Sequence, residues 1–298
     1  MEEKIRFFSG PGYGLSAVIT VPDDHERSHR HPGVILCQGY AGLKDALMPA
    51  VAERMAAEGY VTLRFDYRGF GESEGPRHRL IPLEQVEDIR NGLTCLGVRP
   101  EVDPDRLAIW GTSFGGAHAA YAAAADERVR CIVSVVGVGD GERWLRCLRR
   151  EWEWQAFLKE LDDDRDRRVL SGQSRRVHPY HIMETTPEGW EFWKETVAAN
   201  PDRGEVEMPL ECADAIIEYK PESVAHEIGC PALYVSAELD TLTPLEEQLN
   251  LYESSPDPKD YVVIPDVNHH DIYKEPHLSH LLDLSVAWFD EYLKEVGD

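Results

Sequence analysis

Short apolar runs alternate with stretches of helical periodicity along most of the chain. The runs Val34–Cys37, Tyr60–Tyr67, Arg106–Gly111, Val129–Gly137, Ala232–Glu238 and Lys259–Pro265 are rich in β-branched or aromatic residues and bounded by Gly, Pro or Asp, which predicts strands. Helical patterns lie between or after them at Met48–Glu58, Gln85–Leu96, Phe114–Asp126, Pro244–Ser255 and Leu278–Lys294. A β-α-β-α alternation of this kind predicts an α/β fold, a mostly parallel central sheet flanked by helices on both faces. Strands buried on both sides need no polar alternation, which accounts for uninterrupted runs such as CIVSVV. The pieces Ile5–Phe8 and Leu15–Val21 read as an antiparallel hairpin on one sheet edge.

The rhythm breaks at residues 140–220. No strand is evident there, charges crowd together (ELDDDRDRR), and five of the seven tryptophans fall within it: Trp144, Trp152, Trp154, Trp190 and Trp193. An insertion of about 80 residues with its own aromatics is too long for a structureless loop. It predicts a mainly helical cap, inserted after the sixth strand and resting over the sheet's C-terminal edge. Residues 1–139 and 221–298 would form the core. Packing the cap onto that core is itself a sufficient reason for the tryptophans.

Composition narrows the partners. A net charge of −24 opposes sequence-independent binding to nucleic acid or anionic lipid. No apolar stretch approaches the length of a membrane span, and MEEKIRFFSG lacks the pattern of a signal peptide. Six dispersed cysteines with no CxxC pair suit free thiols in a reducing cytoplasm. No cluster has metal-ligand spacing, and Gly10-Pro11-Gly12-Tyr13-Gly14 is a poor nucleotide loop because proline interrupts it and no helix follows. Neither metal nor cofactor is therefore expected, and a homodimer is the default assembly.

The segment Leu107-Ala108-Ile109-Trp110-Gly111-Thr112-Ser113-Phe114-Gly115-Gly116 contains G-x-S-x-G between a strand and an Ala-rich helix. A chain turning that sharply needs glycines beside the serine, and the turn presents Ser113 at the helix N-terminus as a nucleophile. A serine needs a base to take its proton and an acid to orient that base. Asp240 follows one strand, with Glu238 as a rival acid, and His269 and His270 lie in the loop after the last strand. Most of the other histidines, including His25, His29 and His31, read as surface residues. An oxyanion needs two fixed N–H donors; the backbone of Phe114 supplies one, and that of Tyr40, after the turn glycine of Cys37-Gln38-Gly39-Tyr40, is the other candidate.

These motifs resemble the α/β-hydrolase superfamily over nearly the whole chain, with the GxSxGG elbow similar to dienelactone-hydrolase-like and cocaine-esterase-like subgroups. Phe65-Asp66-Tyr67-Arg68-Gly69-Phe70-Gly71-Glu72-Ser73 looks like the family's D-x-R-G-x-G-x-S loop, which the resemblance makes structural. The string His269-His270-Asp271-Ile272-Tyr273 looks like an H-x-D-h-Y ending (h apolar), and it is this likeness that puts the base at His269. One departure stands out: Gln38-Gly39 replaces the His-Gly that many members carry before the oxyanion donor.

The resemblance implies the α/β-hydrolase fold and cleavage of a carboxylic ester or thioester through a Ser113 acyl-enzyme, with Asp240 and His269 completing the triad. An aromatic cap fits a small-molecule substrate with an apolar or aromatic acyl part, contacted by Tyr40, Trp144 and Trp152. The same triad could cleave a C–C bond of β-diketone type or an amide, or pass its acyl group to a second molecule. A non-catalytic binding protein of the same fold is the remaining alternative.

Overall fold

The described residues of the computed structural model are 1–23, 30–199 and 206–294; His25 and His29 lie outside them. The chain opens with two antiparallel strands, β1 (Glu2–Ser9) and β2 (Tyr13–Thr20), paired from Glu2 with Thr20 to Ser9 with Tyr13. There follow β3 (His31–Cys37), α1 (Met48–Ala57), β4 (Val61–Phe65), α2 (Pro82–Gly97), β5 (Val102–Thr112), α3 (Phe114–Ala125) and β6 (Val129–Val135). After an insertion, β9 (Ala232–Ala237), α10 (Leu245–Ser254), β10 (Lys259–Ile264) and α11 (His277–Leu293) complete the core. The sheet order is β1-β2-β4-β3-β5-β6-β9-β10, parallel from β4 to β10, with the N-terminal hairpin antiparallel at one edge.

Both faces of the central strands are buried. Ile35, Leu63, Leu107, Ile109 and Tyr234 point into one apolar cluster, while Val34, Leu36, Trp110, Val133 and Val235 point into the other. Each such aliphatic side chain contributes roughly 1.5–3 kcal/mol on burial. The helices cover these faces through their apolar stripes. In α11, Leu278, Leu281, Leu282, Val286, Phe289 and Leu293 recur at helical spacing and pack on the second cluster.

The insertion between β6 and β9 contains α4 (Gly141–Cys147), α5 (Glu151–Ser171), α6 (Pro179–Ile182), α7 (Pro187–Ala199), α8 (Glu211–Ile217) and α9 (Pro221–Val224). It also holds two strands of two residues each, β7 (Arg176–Val177) and β8 (Met208–Pro209), paired antiparallel. This ribbon departs from the strandless segment expected of residues 140–220, because two-residue strands leave no periodicity to read. Trp144 and Trp154 are buried in the core cluster, whereas Trp152 and Trp190 are exposed. No helix among the described residues is long and apolar enough to cross a membrane. The six cysteines are free.

Candidate active site

Three loops at the C-terminal ends of parallel strands converge on one point. Ser113 follows β5, Asp240 follows β9 and His269 follows β10. Ser113 has φ 55° and ψ −125°, a conformation costing on the order of 1–3 kcal/mol for a residue with a side chain. Close backbone packing holds it there. A Cβ on Gly111 would lie 2.1 Å from the Gly115 carbonyl oxygen, and one on Gly115 would lie 2.2 Å from that of Cys37. The small residues of the motif therefore bring the turn, the helix start and the loop after β3 into direct contact. The Ser113 amide also donates to the Val135 carbonyl, 2.8 Å away.

The side chains form a continuous hydrogen-bonded chain. Ser113 Oγ lies 3.1 Å from His269 Nε2, and His269 Nδ1 lies 2.7 Å from Asp240 Oδ2. Asp240 Oδ1 accepts from the amides of Leu242 and Thr243, both at 2.8 Å, and Oδ2 accepts from the Thr243 hydroxyl at 2.8 Å. Burial opposes the Asp240 charge, but its electrostatic interaction with His269 and the donors from His269 and Thr243 outweigh it. They hold the carboxyl below its ordinary value. An ionised Asp240 in turn keeps the His269 proton on Nδ1 and leaves Nε2 free to accept from Ser113.

The rival candidates Glu238 and His270 lie elsewhere in the structure. Glu238 is exposed just past β9, and its carboxylate accepts from the Asp266 amide at 2.9 Å. The His270 ring packs between His269 and Phe192, with centroids 5.3 Å from each. Burial and the neighbouring His269 push its imidazole down to about 4, so it is neutral at pH 7. His31 is half-buried, not a surface residue, with Nδ1 3.0 Å from the Gly59 carbonyl oxygen.

The loop after β3 lies directly on the nucleophile: a Cβ on Gly39 would sit 3.0 Å from Ser113 Cβ and 3.4 Å from Oγ. This places the Gly39–Tyr40 backbone beside the Ser113 hydroxyl, opposite the start of α3, whose first N–H groups have no partner within the helix. Gln38 braces this loop by donating from Nε2 to the Phe65 carbonyl at 2.6 Å. The D-x-R-G-x-G-x-S segment is held by its own ion pairs: Asp66 accepts from Lys44 Nζ at 2.9 Å, and Arg68 Nη2 reaches Asp88 at 2.6 Å.

Of the aromatic residues expected to contact substrate, the structure repositions two. Trp144 is 0% exposed; it stacks on Phe114 at 5.4 Å and donates from Nε1 to the Leu242 carbonyl at 2.9 Å. It clamps the acid loop to the nucleophile helix and presents no surface to a ligand. Trp152 is 66% exposed and lines a separate recess with Arg149, Phe157, Tyr180 and Trp190, a recess that does not include Ser113. Tyr40 does stand at the site, its ring edge-on to Phe114 and Trp144. Thr243 escaped notice in the sequence, where it reads as an ordinary residue before a helical proline; its hydroxyl also lies 3.0 Å from His269 Nδ1.

A third buried histidine, His118, abuts Phe114 with Nε2 2.9 Å from Gln85 Oε1 and Nδ1 3.0 Å from the Tyr219 hydroxyl. Burial pushes it down to about 3. For both His118 and His270 the folded value lies below the unfolded one of about 6.5, so the unfolded chain binds more protons at mildly acidic pH. Their contribution to stability is present above about pH 6.5 and falls as pH drops toward 4. Urea unfolding between pH 7 and 4.5 is expected to show this loss. His270→Asn should reduce the pH slope by about one proton; an unchanged slope would contradict the assignment.

Comparison with known proteins gives one consistent result. Residues 32–276 match the family described as alpha/beta hydrolase fold. An Escherichia coli 31.7 kDa protein encoded in the traX-finO intergenic region is 32% identical over 94% of this chain and 96% of its own. The polyketide transferase grgF of a Penicillium species is 30% identical over 82% of this chain and 83% of its own. Its crystal structure, from Penicillium sp. sh18, superposes with a TM-score of 0.80 at 24% identity, covering 98% of this chain and 99% of that one. The thiohydrolase aneE of Aspergillus aculeatus is 26% identical over 88% and 86% of the two chains.

Proposed function

Because this chain belongs to the α/β-hydrolase fold family, we propose that it is a serine hydrolase cleaving a carboxylic ester or thioester with an apolar or aromatic acyl part. The observation that carries this reading is the unbroken contact from Ser113 Oγ through His269 to Asp240, at 3.1 and 2.7 Å. His269 Nε2 takes the Ser113 proton as Oγ attacks the acyl carbon. The backbone N–H groups of Tyr40 and Phe114 receive the resulting oxyanion, a term worth about 3 kcal/mol per donor in comparable sites. His269 then protonates the departing alcohol or thiol. In the second half it activates water, which releases the acid and restores Ser113. His270, neutral and packed on Phe192, holds the base loop from behind.

Transfer of the acyl group to an alcohol or amine is a second reading, favoured by the low exposure of Ser113 (8%) and His269 (5%) beneath the cap. The names of the relatives, a thiohydrolase and a polyketide transferase, accord with either outcome.

The test uses matched p-nitrophenyl esters and N-acetylcysteamine thioesters of acetyl, hexanoyl and benzoyl groups. A burst of leaving group and an acyl mass increment on the peptide carrying Ser113 are expected, followed by free acid. An added alcohol that drains the acyl-enzyme into ester without raising acid output would assign transfer. Folded protein that forms no acyl adduct with any of these would sink the serine mechanism.

A further inference from the structure

Gly39, the residue before Tyr40, lies against Ser113, while the Tyr40 side chain reaches the cap. The loop from Gln38 to Gly42 is so close to Ser113 that a displacement of a few tenths of an ångström would misplace an oxyanion donor there. On the core side the loop packs against the Ser113 turn and makes two hydrogen bonds among the described residues: the Gln38 side-chain amide donates to the Phe65 carbonyl, and the Gly42 amide donates to the Gly39 carbonyl at 3.0 Å. Gln38 Oε1 is buried and accepts no hydrogen bond among the described residues.

A further tie runs upward. The Tyr40 hydroxyl lies 3.1 Å from the Pro179 carbonyl oxygen at the start of α6, and 3.4 Å from Met208 Sδ on β8. With one proton to give, it donates to the carbonyl, the stronger acceptor. The ring between these ends is held edge-on by Phe114 and Trp144, at 6.3 and 6.2 Å. Tyr40 is thus a short, stiff strut between the cap and the oxyanion loop. Across the site, Phe192 of α7 meets His270 beside the base. The cap therefore bears on both sides of Ser113.

We infer that Tyr40 is a positioning residue whose hydroxyl links the seat of the cap to the geometry of the oxyanion hole, so that cap docking and assembly of the hole are one event. The inference rests on the serine-hydrolase reading above. The strut would transmit position through the main chain: seating α6, which carries Pro179, and β8, which carries Met208, fixes the Tyr40 ring and with it the adjoining Gly39–Tyr40 peptide beside Ser113. Loss of the hydroxyl frees the loop to shift without removing the donor itself.

The experiment compares wild type with Tyr40→Phe, which keeps the ring and removes only the hydroxyl. An alkyl boronic acid serves as probe because it forms a tetrahedral adduct on the nucleophile and needs the oxyanion donors. In Tyr40→Phe, kcat for a p-nitrophenyl ester is expected to fall about tenfold with KM within about twofold, less than the 10²–10³ of deleting a donor outright. The boronate inhibition constant should rise by about the same tenfold factor. In wild type the boronate should slow amide hydrogen exchange in residues 176–182 and 206–209, and in the variant it should not. Equal inhibition constants and equal protection in the two proteins would overturn the inference, even if the variant melts lower. Wild type that neither turns over nor binds boronate would overturn the serine mechanism first, and this coupling with it.

Discussion

Ser113→Ala is expected to lower kcat/KM for ester hydrolysis by at least about 10⁴-fold, with little change in melting temperature. The rate effect follows from removing the hydroxyl oxygen that lies 3.1 Å from His269 Nε2. The small stability effect follows from the same geometry. Alanine keeps the Cβ, so the strain at φ 55° and the contacts of Gly39, Gly111 and Gly115 all remain. Residual activity would come from the oxyanion donors and from substrate positioning. His269→Ala should cost a comparable factor, and the double variant little more than either single one, because the two side chains act as a unit. Steady-state kinetics on the three variants, with circular dichroism to confirm folding, decide the matter. A loss below tenfold in Ser113→Ala would remove Ser113 from the nucleophile's place.

Asp240→Asn should reduce kcat by about 10⁴-fold while leaving the shape of the site intact. The two amides of Leu242 and Thr243 demand an acceptor at Oδ1, so the amide oxygen of asparagine would settle there. Its NH₂ would then face His269 Nδ1, where Asp240 Oδ2 now lies at 2.7 Å. Nδ1 would become an acceptor, the imidazole proton would move to Nε2, and that proton would point at Ser113 Oγ. A base already carrying its proton on the reacting nitrogen cannot take another from serine. Nitrogen NMR of the imidazole reports the tautomer directly, alongside kcat. If the variant kept activity within tenfold of wild type, or its His269 kept the proton on Nδ1, the role given to Asp240 would fail.

Most of the core was legible because its strands are buried on both faces. Continuous apolar runs of four to eight residues between turn signals can hardly be anything else. The observed β5 begins earlier than the run Arg106–Gly111, at Val102, because its first residues pair at the rim where charged side chains reach solvent. The positions of Ser113, Asp240 and His269 were legible for a related reason: each sits one short loop past a strand end. What stayed hidden depends on contacts between distant parts of the chain. Nothing near Trp144 announces that its indole donates to Leu242, 98 residues away, and an aromatic in a cap reads equally well as pocket lining. The bond from Tyr40 to Pro179 spans 139 residues. The ribbon of β7 and β8 is too short to leave a pattern, and the Thr243 hydroxyl takes its meaning from the carboxylate it meets.

The chain order of the site has a bearing on how the protein comes into being. Ser113 follows β5 near the middle of the sheet, but Asp240 and His269 arrive only with β9 and β10, after the whole insertion has been made. As the polypeptide leaves the ribosome, the serine elbow can fold between β5 and β6 before His269 has been synthesised. Such a nascent chain is chemically silent. The lateral pairing of Ile132 with Ala232 through to Val135 with Val235, and of β9 with β10, is what brings Asp240 and His269 beside it. The same pairing means that a proteolytic nick within the insertion would cut the backbone between nucleophile and base, yet leave both fragments stitched together along adjacent strands.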